Sequence, residues 1–245
     1  MYELIPVADA PELDEEAGRR FVEEWPEFIF HDEGVTPYRE RRIEYFRGWE
    51  FYLVSTGDRR LIGGCWGVPL AWDGSVEDLP GGFTDSLGRA VLEQEAGVAP
   101  NTFVLMAAAV RNDEQGKGHA GRVITAVRER AVAGGLSQVI APVRPTLKSK
   151  YPLTDIAEFM TWTRPDGLPL DPWIRTHVRL GARLLAPAPF SQTMTGSVAD
   201  WEKWTGMTFP ATGTYVIPDG LTTLAIDRTT DTGLYREPNI WMRHA

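Results

Sequence analysis

The stretch that decides the fold runs from residue 102 to residue 121 and reads TFVLMAAAVRNDEQGKGHAG. It opens with the apolar run Thr102–Val110, which predicts a buried central strand. A polar turn with glycines at 116 and 118 follows, and apolar residues at helical spacing predict a helix over Gly118–Ala133. Glycines let the backbone approach a ligand closely, and the first amides of a helix have no partner within it. The stretch therefore predicts an anion site at the start of this helix.

The segments on either side predict a single mixed α/β domain over residues 1–245. Its core is expected to end near residue 187, and residues 188–245 are expected to form a C-terminal extension that packs on the core or forms a dimer interface. The predicted strands are Tyr2–Val7, Phe51–Thr56, Arg60–Trp72, Thr102–Val110, Gln138–Val143 and Ala182–Pro187, with more after residue 222. The other predicted helices are Pro11–Trp25, Tyr38–Phe46, Asp85–Glu95, Asp155–Thr161 and Asp171–Leu180.

Composition limits the classes of partner. The chain has 245 residues, a net charge of −9 and one cysteine, Cys65. It has no apolar run long enough to cross a membrane and no apolar signal region at its N-terminus, so we expect a cytoplasmic protein without a membrane partner. Basic runs are short, which argues against nucleic acid. No metal is expected. Backbone amides can still hold an anionic cofactor in an acidic protein.

Two phosphate-binding patterns fit the glycine segment poorly. A Walker A loop needs serine or threonine after its lysine, but Gly118 follows Lys117. Gly116-x-Gly118-x-x-Gly121 matches the dinucleotide pattern, but five polar residues, Arg111–Gln115, separate it from the strand, and the usual acidic residue about twenty positions on is missing. An NADP-dependent oxidoreductase stays open as an alternative. So does a tight turn before an ordinary helix.

The segment Gln115-Gly116-Lys117-Gly118-His119-Ala120 resembles the signature of the GNAT superfamily, Gln/Arg-x-x-Gly-x-Gly/Ala. Val110, five residues before Gln115, matches the usual end of the preceding strand, whereas Asn112 stands where the family often has proline. The resemblance implies a GNAT fold, with helices flanking a mixed sheet that carries inserted loops, and acetyl-CoA or another acyl-CoA as cosubstrate. It implies that the strand end pairs with pantetheine, that an amide there stabilises the oxyanion, and that the glycine turn holds the pyrophosphate. The implied cofactor-binding residues are Ala108, Val110, Gln115, Gly116, Lys117, Gly118, His119, Ala120 and Gly121.

A looser resemblance lies at His177-Val-Arg-Leu-Gly181-Ala182, where the family often has Tyr-x-x-x-Gly-Phe. By this match His177 would be the general acid that protonates the departing thiolate. The alternative is a helix histidine that only packs locally. The general base is not identified, because Thr102–Val110 contains no acidic residue. Candidates elsewhere are Glu93, Glu95, Asp155 and Glu158, although the pattern at each favours a solvated surface charge; water could also carry the proton.

Two segments could bind the acceptor. Arg144, Lys148 and Tyr151, with Lys150, follow the strand Gln138–Val143 and could hold a carboxylate or the CoA 3′-phosphate, or form a solvated basic loop. The aromatic segment after the first helix contains Phe30 and His31, which could line the acceptor pocket or pack in the core.

The resemblance therefore implies an acyl-CoA-dependent N-acyltransferase that acts on a small-molecule amine by direct transfer in a ternary complex. The long insertions suit a closed pocket better than an open groove for peptide. Transfer to a protein or peptide amine is the enzymatic alternative. A non-catalytic acyl-CoA sensor is the other alternative, since fold alone does not establish activity. A homodimer is possible.

Overall fold

A computed structural model describes residues 1–23 and 25–244 of the chain. Glu24, inside the predicted helix Pro11–Trp25, and Ala245, at the end of the predicted domain, lie outside the described residues. The strands are β1 (Tyr2–Pro6), β2 (Glu50–Ser55), β3 (Leu61–Leu70), β4 (Thr102–Val110), β5 (Gln138–Val143), β6 (Arg183–Gly196), β7 (Gly213–Val216), β8 (Thr223–Asp227) and β9 (Thr232–His244). The helices are α1 (Asp14–Val22), α2 (Arg39–Phe46), α3 (Phe83–Glu95), α4 (His119–Ala133), α5 (Ile156–Phe159), α6 (Pro172–Arg179) and α7 (Val198–Thr205).

The described strands form one mixed sheet in the order β1-β2-β3-β4-β5-β9-β8-β7, and β6 pairs with β9. Neighbours from β1 to β4 are antiparallel, and β4 and β5 are parallel. The prediction of a mixed α/β fold is confirmed. The first helix begins three residues later than predicted, because a short 3-10 turn occupies Pro11–Leu13.

The centre of the sheet is forked. β4 pairs with β5 only from Thr102 to Val104, where Val104 lies opposite Ile140. On its other edge β4 stays paired with β3 as far as Val110, opposite Gly63. A β-bulge between Trp66 and Gly67 shifts the register of that pair, and bulges bend and twist a strand. Beyond Val104 the edge of β4 that faces β5 therefore borders an open cleft.

Helices cover both faces of the fork. On one face, α4 buries Val123, Ile124 and Val127 against a core that includes Phe103 and Leu105 of β4. On the other face, α2 and α3 cover a second core that contains the intervening β4 residues. Side chains alternate along a strand, so a strand buried on both faces is apolar throughout. This accounts for the unbroken apolar run of β4.

The C-terminal part of the chain corrects the expected boundary near residue 187. β6 runs through that position to Gly196, and β9 lies between β5 and β6, where Trp241 is opposite Pro142. Residues 188–244 therefore continue the sheet, with β9 in its middle, and are not an addition to a core that ends near residue 187. They also build a separate core in which Phe28 contacts Trp201 and Tyr235.

Among residues 1–23 and 25–244, no helix is long and apolar enough to cross a bilayer.

Candidate active site

The glycine turn presents a row of backbone amides. Gly116 and Gly118 have φ values of 76° and 81°, in the left-handed region that side chains other than glycine rarely adopt, and α4 begins immediately afterwards at His119. Within residues 1–23 and 25–244, no acceptor bonds to the amides of residues 116–121. A Cβ built on either glycine would meet no atom within 4 Å. The amides therefore line open space, as an anion site requires. We call residues 116–121 the cradle.

A network of ion pairs holds the loop between β4 and the cradle. The buried carboxylate of Glu114 accepts hydrogen bonds from Arg60 (2.7 Å) and Lys117 (3.0 Å). The pKa of Glu114 lies below its usual value, mainly because the Lys117 ammonium donates a hydrogen bond to its carboxylate. Arg111 binds Asp113 and also reaches Glu16 of α1, at 2.7 Å. Because Glu16 lies on α1, the network joins the first helix to the cradle.

The side chains of two predicted cofactor residues, His119 and Gln115, are engaged within the protein. The His119 imidazole is buried, lies edge-on to the Tyr2 ring with centroids 4.4 Å apart, and has Nε2 3.3 Å from Glu114. Gln115 donates to the carbonyl of Val110 (3.3 Å), which ties the loop to the end of β4. Lys117 is half-exposed, so its ammonium remains accessible beside the cradle.

A cavity of about 490 Å³ opens in the fork. Ala107 and Ala109 of β4 and Gly64 of β3 line it. Ala109 lies opposite Gly64 in the β3–β4 register, and Ala107 lies opposite Trp66, so small side chains of β4 form this part of the wall. Ala108, the predicted pantetheine contact, belongs to the same wall. The aromatic part of the wall consists of Phe21, Trp25, Phe30, Phe51, Tyr52, Trp66, Phe83 and Trp173.

His177 forms part of the cavity wall but is not suited to act as an imidazolium acid. Its Nδ1 lies 2.9 Å from Nε2 of His244, a residue absent from the sequence predictions. Burial, and secondarily the neighbouring His244, lower the pKa of His177 to about 3. Burial, and secondarily the charge of Arg128, lower the pKa of His244 to about 4. Both rings are therefore neutral near pH 7, where a neutral imidazole can still donate or accept a hydrogen bond.

The structure corrects the role expected for Arg144 and Lys148. Arg144 reaches the cavity wall, but its guanidinium is paired with the buried Glu237 and donates to the carbonyl of Asp219 (2.7 Å). Lys148 is fully buried and its ammonium donates to the backbone carbonyls of Tyr151 (2.8 Å) and Leu221 (2.5 Å). Burial lowers the pKa of Lys148. Both cations hold the chain together instead of offering a free charge.

Of the ring-bearing residues predicted to bind the acceptor, one lines the cavity and two lie outside its wall. Phe30 lines the cavity, as expected. His31 instead stacks on Trp204, with ring centroids 4.0 Å apart. Tyr151 is exposed and lies edge-on to Trp162, outside the cavity wall.

Sequence reasoning missed two carboxylates in the wall, Asp14 and Glu50. Glu50 is opposite Trp66 in the β2–β3 register and forms an ion pair with Arg42. Asp14 accepts a hydrogen bond from the Tyr52 hydroxyl (2.9 Å). Strand alternation could have found Glu50, since residues 50 and 52 must share a face.

None of the acids proposed earlier as general base lines this cavity. Glu93 accepts from the amide of Ala71, and Glu95 binds Arg41. Asp155 caps α5. Within the described part of the chain, no group of three or more metal-ligating side chains occurs.

Comparison with known proteins identifies the architecture. The loading GNATL domain of CurA from Lyngbya majuscula superposes with a TM-score of 0.57 at 14% identity, covering 100% of this chain and 97% of that one. A GNAT-like decarboxylase, GphF, solved with isobutyryl-CoA, gives 0.53 at 14% identity, covering 100% and 98%. The chain has the GNAT fold. This confirms the fold that the resemblance of residues 115–120 implies.

A curated relative matches the sequence of this chain. It is an arginine N-acetyltransferase of Aspergillus versicolor, 28% identical over 190 residues. The match covers 69% of this chain and 66% of the relative, just under two thirds of the relative's length. No family model matches the chain.

Proposed function

We propose that the protein is an acyl-CoA-dependent N-acyltransferase, most simply an acetyltransferase, that acts on a small-molecule amine. The observation that carries the proposal is the row of amides at residues 116–121, for which the described residues offer no acceptor. Arg111–Gln115 separate this row from the end of β4, and the cavity wall reaches Ala109 of the same strand. A helix N-terminus with free amides suits the CoA pyrophosphate, and the unpaired edge of β4 suits the pantetheine arm. GNAT-fold neighbours bind acyl-CoA: GphF was solved with isobutyryl-CoA.

The reaction is a direct transfer. The acceptor nitrogen bonds to the thioester carbonyl carbon, the C–S bond breaks, and CoA leaves as thiolate, which takes up the proton that the amine loses. Backbone amides on the edge of β4 beyond Val104, where its pairing with β5 ends, would stabilise the oxyanion. The carboxylates of Asp14 and Glu50 in the wall are the groups placed to accept the amine proton, directly or through water.

The cavity favours a cationic acceptor. Aromatic rings line it and attract cations through their faces, and Asp14 adds a carboxylate that lies 3.6 Å from Arg47. Glu50, also in the wall, is already paired with Arg42. Arg39 also lines the cavity and is exposed, so it is available to an acceptor carboxylate, whereas Arg144 is neutralised by Glu237. A basic amino acid carries both kinds of group, and the curated relative acts on arginine. The proposed acceptor class is therefore arginine-like amines.

The test measures release of free CoA thiol from acetyl-CoA with a panel of amines. Arginine and lysine should release thiol, and agmatine, which lacks the carboxylate, should show a higher KM than arginine. Loss of that difference in Arg39→Gln would support the carboxylate contact. Release only with peptides would replace the proposal by protein acylation, and binding of acetyl-CoA without release by any amine would favour the sensor alternative.

A further inference from the structure

A buried carboxylate, that of Asp32, lies within one segment of the cavity wall. The segment consists of two short 3-10 turns, Glu27–His31 and Glu33–Tyr38, and we call residues 27–38 the wall segment. The Asp32 side chain lies between the two turns and is only 3% exposed. A buried carboxylate is costly unless hydrogen bonds satisfy it, so its partners determine where the segment lies. The wall segment contributes three side chains to the cavity: Ile29, Phe30 and Val35.

The Asp32 carboxylate joins three elements of the fold. Within the wall segment, its Oδ1 accepts a hydrogen bond from the amide of Gly34 (2.8 Å). Its Oδ2 accepts from the hydroxyl of Thr84, the second residue of α3, and from the amide of Thr193 in β6 (3.4 Å). These contacts fix the wall segment against both α3 and β6.

The residues that bind Asp32 are adjacent to other parts of the cavity wall. Thr84 follows Phe83, Thr193 follows Gln192, and both Phe83 and Gln192 line the cavity. None of the three hydrogen bonds of Asp32 involves a residue of the cradle. Asp32 therefore bears on the shape of the cavity from three sides and not on the anion site.

The wall segment also determines where α2 begins. Its second turn, which starts with the hydrogen bond from Gly34 to Asp32, runs directly into α2 at Arg39. The Arg39 amide donates to the carbonyl of Thr36 in that turn. Arg39 lines the cavity and is the group proposed above for an acceptor carboxylate. A displacement of the turn would therefore displace this cation as well.

We propose that Asp32 is a positioning residue for the acceptor amine: by holding the wall segment against α3 and β6, it keeps the cavity in the shape that binds the amine, while the cradle binds CoA without its help. The inference rests on the proposed function for the identity of the ligand. Displacement of a positioning group by about 1 Å can cost about 100-fold in rate. Loss of one Asp32 contact should therefore weaken use of the amine about tenfold or more.

The first test removes one donor and keeps its shape. Thr84→Val loses the hydroxyl that donates to Asp32 and keeps a methyl group. Thr102→Val is the matched control, because that hydroxyl donates to the side-chain oxygen of Asn101 (2.7 Å) and Thr102 is not in the cavity wall. We expect Thr84→Val to raise the KM for arginine about tenfold with the Kd for CoA within about threefold, and Thr102→Val to leave both near wild type. The same KM in the two variants overturns the inference.

The second test disturbs the contacts by volume. A Cβ on Gly34 would lie 2.7 Å from Cγ2 of Thr84 and 3.0 Å from Oδ1 of Asp32. Gly34→Ala must therefore rotate Thr84 away from Asp32 or move the wall segment away from α3, and we expect it to raise the KM for arginine as Thr84→Val does. Gly48→Ala, whose Cβ would meet no atom within 4 Å, is the control and should keep the wild-type KM. A wild-type KM in Gly34→Ala would contradict the proposed role.

Amide hydrogen exchange tests the contacts without any substrate. The amides of Gly34 and Thr193 donate to different oxygens of Asp32, and in Asp32→Asn one of those oxygens becomes an NH₂ group, which cannot accept. At least one of the two amides should then exchange about tenfold faster, together with others in the wall segment, whereas exchange in α4 should not change. Equal acceleration in α4 would mean that Asp32 only stabilises the whole fold, and the inference fails.

The outcomes separate this inference from the proposed function. If the wild type acylates no amine, the proposed function fails; faster exchange confined to the wall segment and Thr193 still supports the contacts, and unchanged exchange overturns them. If arginine is acylated and neither Thr84→Val nor Gly34→Ala changes its KM, the function stands and the inference fails. Thermal melts check folding, and should Asp32→Asn not fold, the exchange of Gly34 and Thr193 is compared between Thr84→Val and Thr102→Val, where only Thr84→Val should accelerate it.

Discussion

The cradle can be tested by two identical substitutions at opposite ends of α4. Gly118 precedes the helix with φ 81°, and Gly135 follows it with φ 85°; a Cβ on either would meet no atom within 4 Å. A residue other than glycine in the left-handed backbone region lowers stability by about 1–2 kcal/mol. Alanine regains about 0.4–1 kcal/mol of stability, because it makes the unfolded chain less flexible than glycine does. Alanine should therefore cost about 1 kcal/mol at both sites, which lowers Tm by about 2–4 °C in a domain of this size.

Only the first site should affect the cofactor. The open space beside Gly118 is where the diphosphate is expected, so Gly118→Ala should raise the Kd for CoA about tenfold, or about 1.4 kcal/mol. Gly118→Asp adds a negative charge, and a repulsion of about 1–4 kcal/mol at roughly 4 Å should nearly abolish binding in a salt-dependent manner. Calorimetric titration with CoA measures both effects.

The comparison has a clear refuting result. Equal CoA affinity in Gly118→Ala and wild type would mean that the cofactor lies elsewhere. Equal loss of affinity in Gly118→Ala and Gly135→Ala would mean that helix stability, and not the cradle, controls binding.

Three further predictions follow from single contacts. Arg144→Leu should destabilise the fold by about 3–5 kcal/mol, because it leaves the buried Glu237 without its cation; denaturant unfolding measures this. Gly64→Ala should raise the KM for the amine more than the KM for acetyl-CoA, because the new Cβ would lie 2.7 Å from the Phe21 ring, which lines the cavity and would have to move; steady-state kinetics separate the two. Lowering the pH from 7 to 5 should reduce the free energy of unfolding of the wild type more than that of His177→Phe. The difference should grow by up to about 1.4 kcal/mol per pH unit below about 6.5, the pKa of a histidine in the unfolded chain; urea unfolding at each pH measures this.

The controls for these predictions come from the same chain. Lys150→Leu, at an exposed cation near Arg144, should leave stability within about 0.5 kcal/mol of wild type. Gly57→Ala, in the β2–β3 turn with no atom near its Cβ, should leave both KM values unchanged. The sign of the pH effect follows from the depressed pKa: the unfolded chain binds a proton at His177 below about pH 6.5, whereas the folded protein does not until about pH 3. A pH dependence identical in wild type and His177→Phe would contradict the burial of that ring.

The local features of the fold were predictable where sequence pattern and environment agree. β4 and β5 have the predicted bounds, because strands buried on both faces leave continuous apolar runs between polar ends. The start of α4 was marked by its glycines. The pairing of β9 with β5 could not be predicted, since it joins residues about a hundred positions apart and no local pattern specifies a partner strand.

The site shows the same limit in its side chains. Arg144 and Lys148 follow β5 as free surface cations would, and nothing near them in sequence reveals that Glu237 and the carbonyl of Leu221 bind them. His177 was found through its place in a family pattern, but its partner His244 is 67 residues away. A residue's position along one element is local information, whereas its charge state depends on neighbours that only the tertiary fold supplies.

The same reasoning explains how a chain with net charge −9 can offer a site for an anion. The acids nearest the cradle are Asp113 and Glu114, and each is held by cations, Arg111 and Arg60 for the first and Lys117 and Arg60 for the second. These contacts lower the pKa of both carboxyls, so the acids stay ionised and paired. In salt, the field of a charge is screened beyond about 8–10 Å, so each acid and its paired cation largely cancel each other at the cradle. The amide dipoles then provide the local field there. Removing the cation of Arg60 should therefore weaken CoA binding although Arg60 lies outside the cradle, because the two acids would then repel the phosphates.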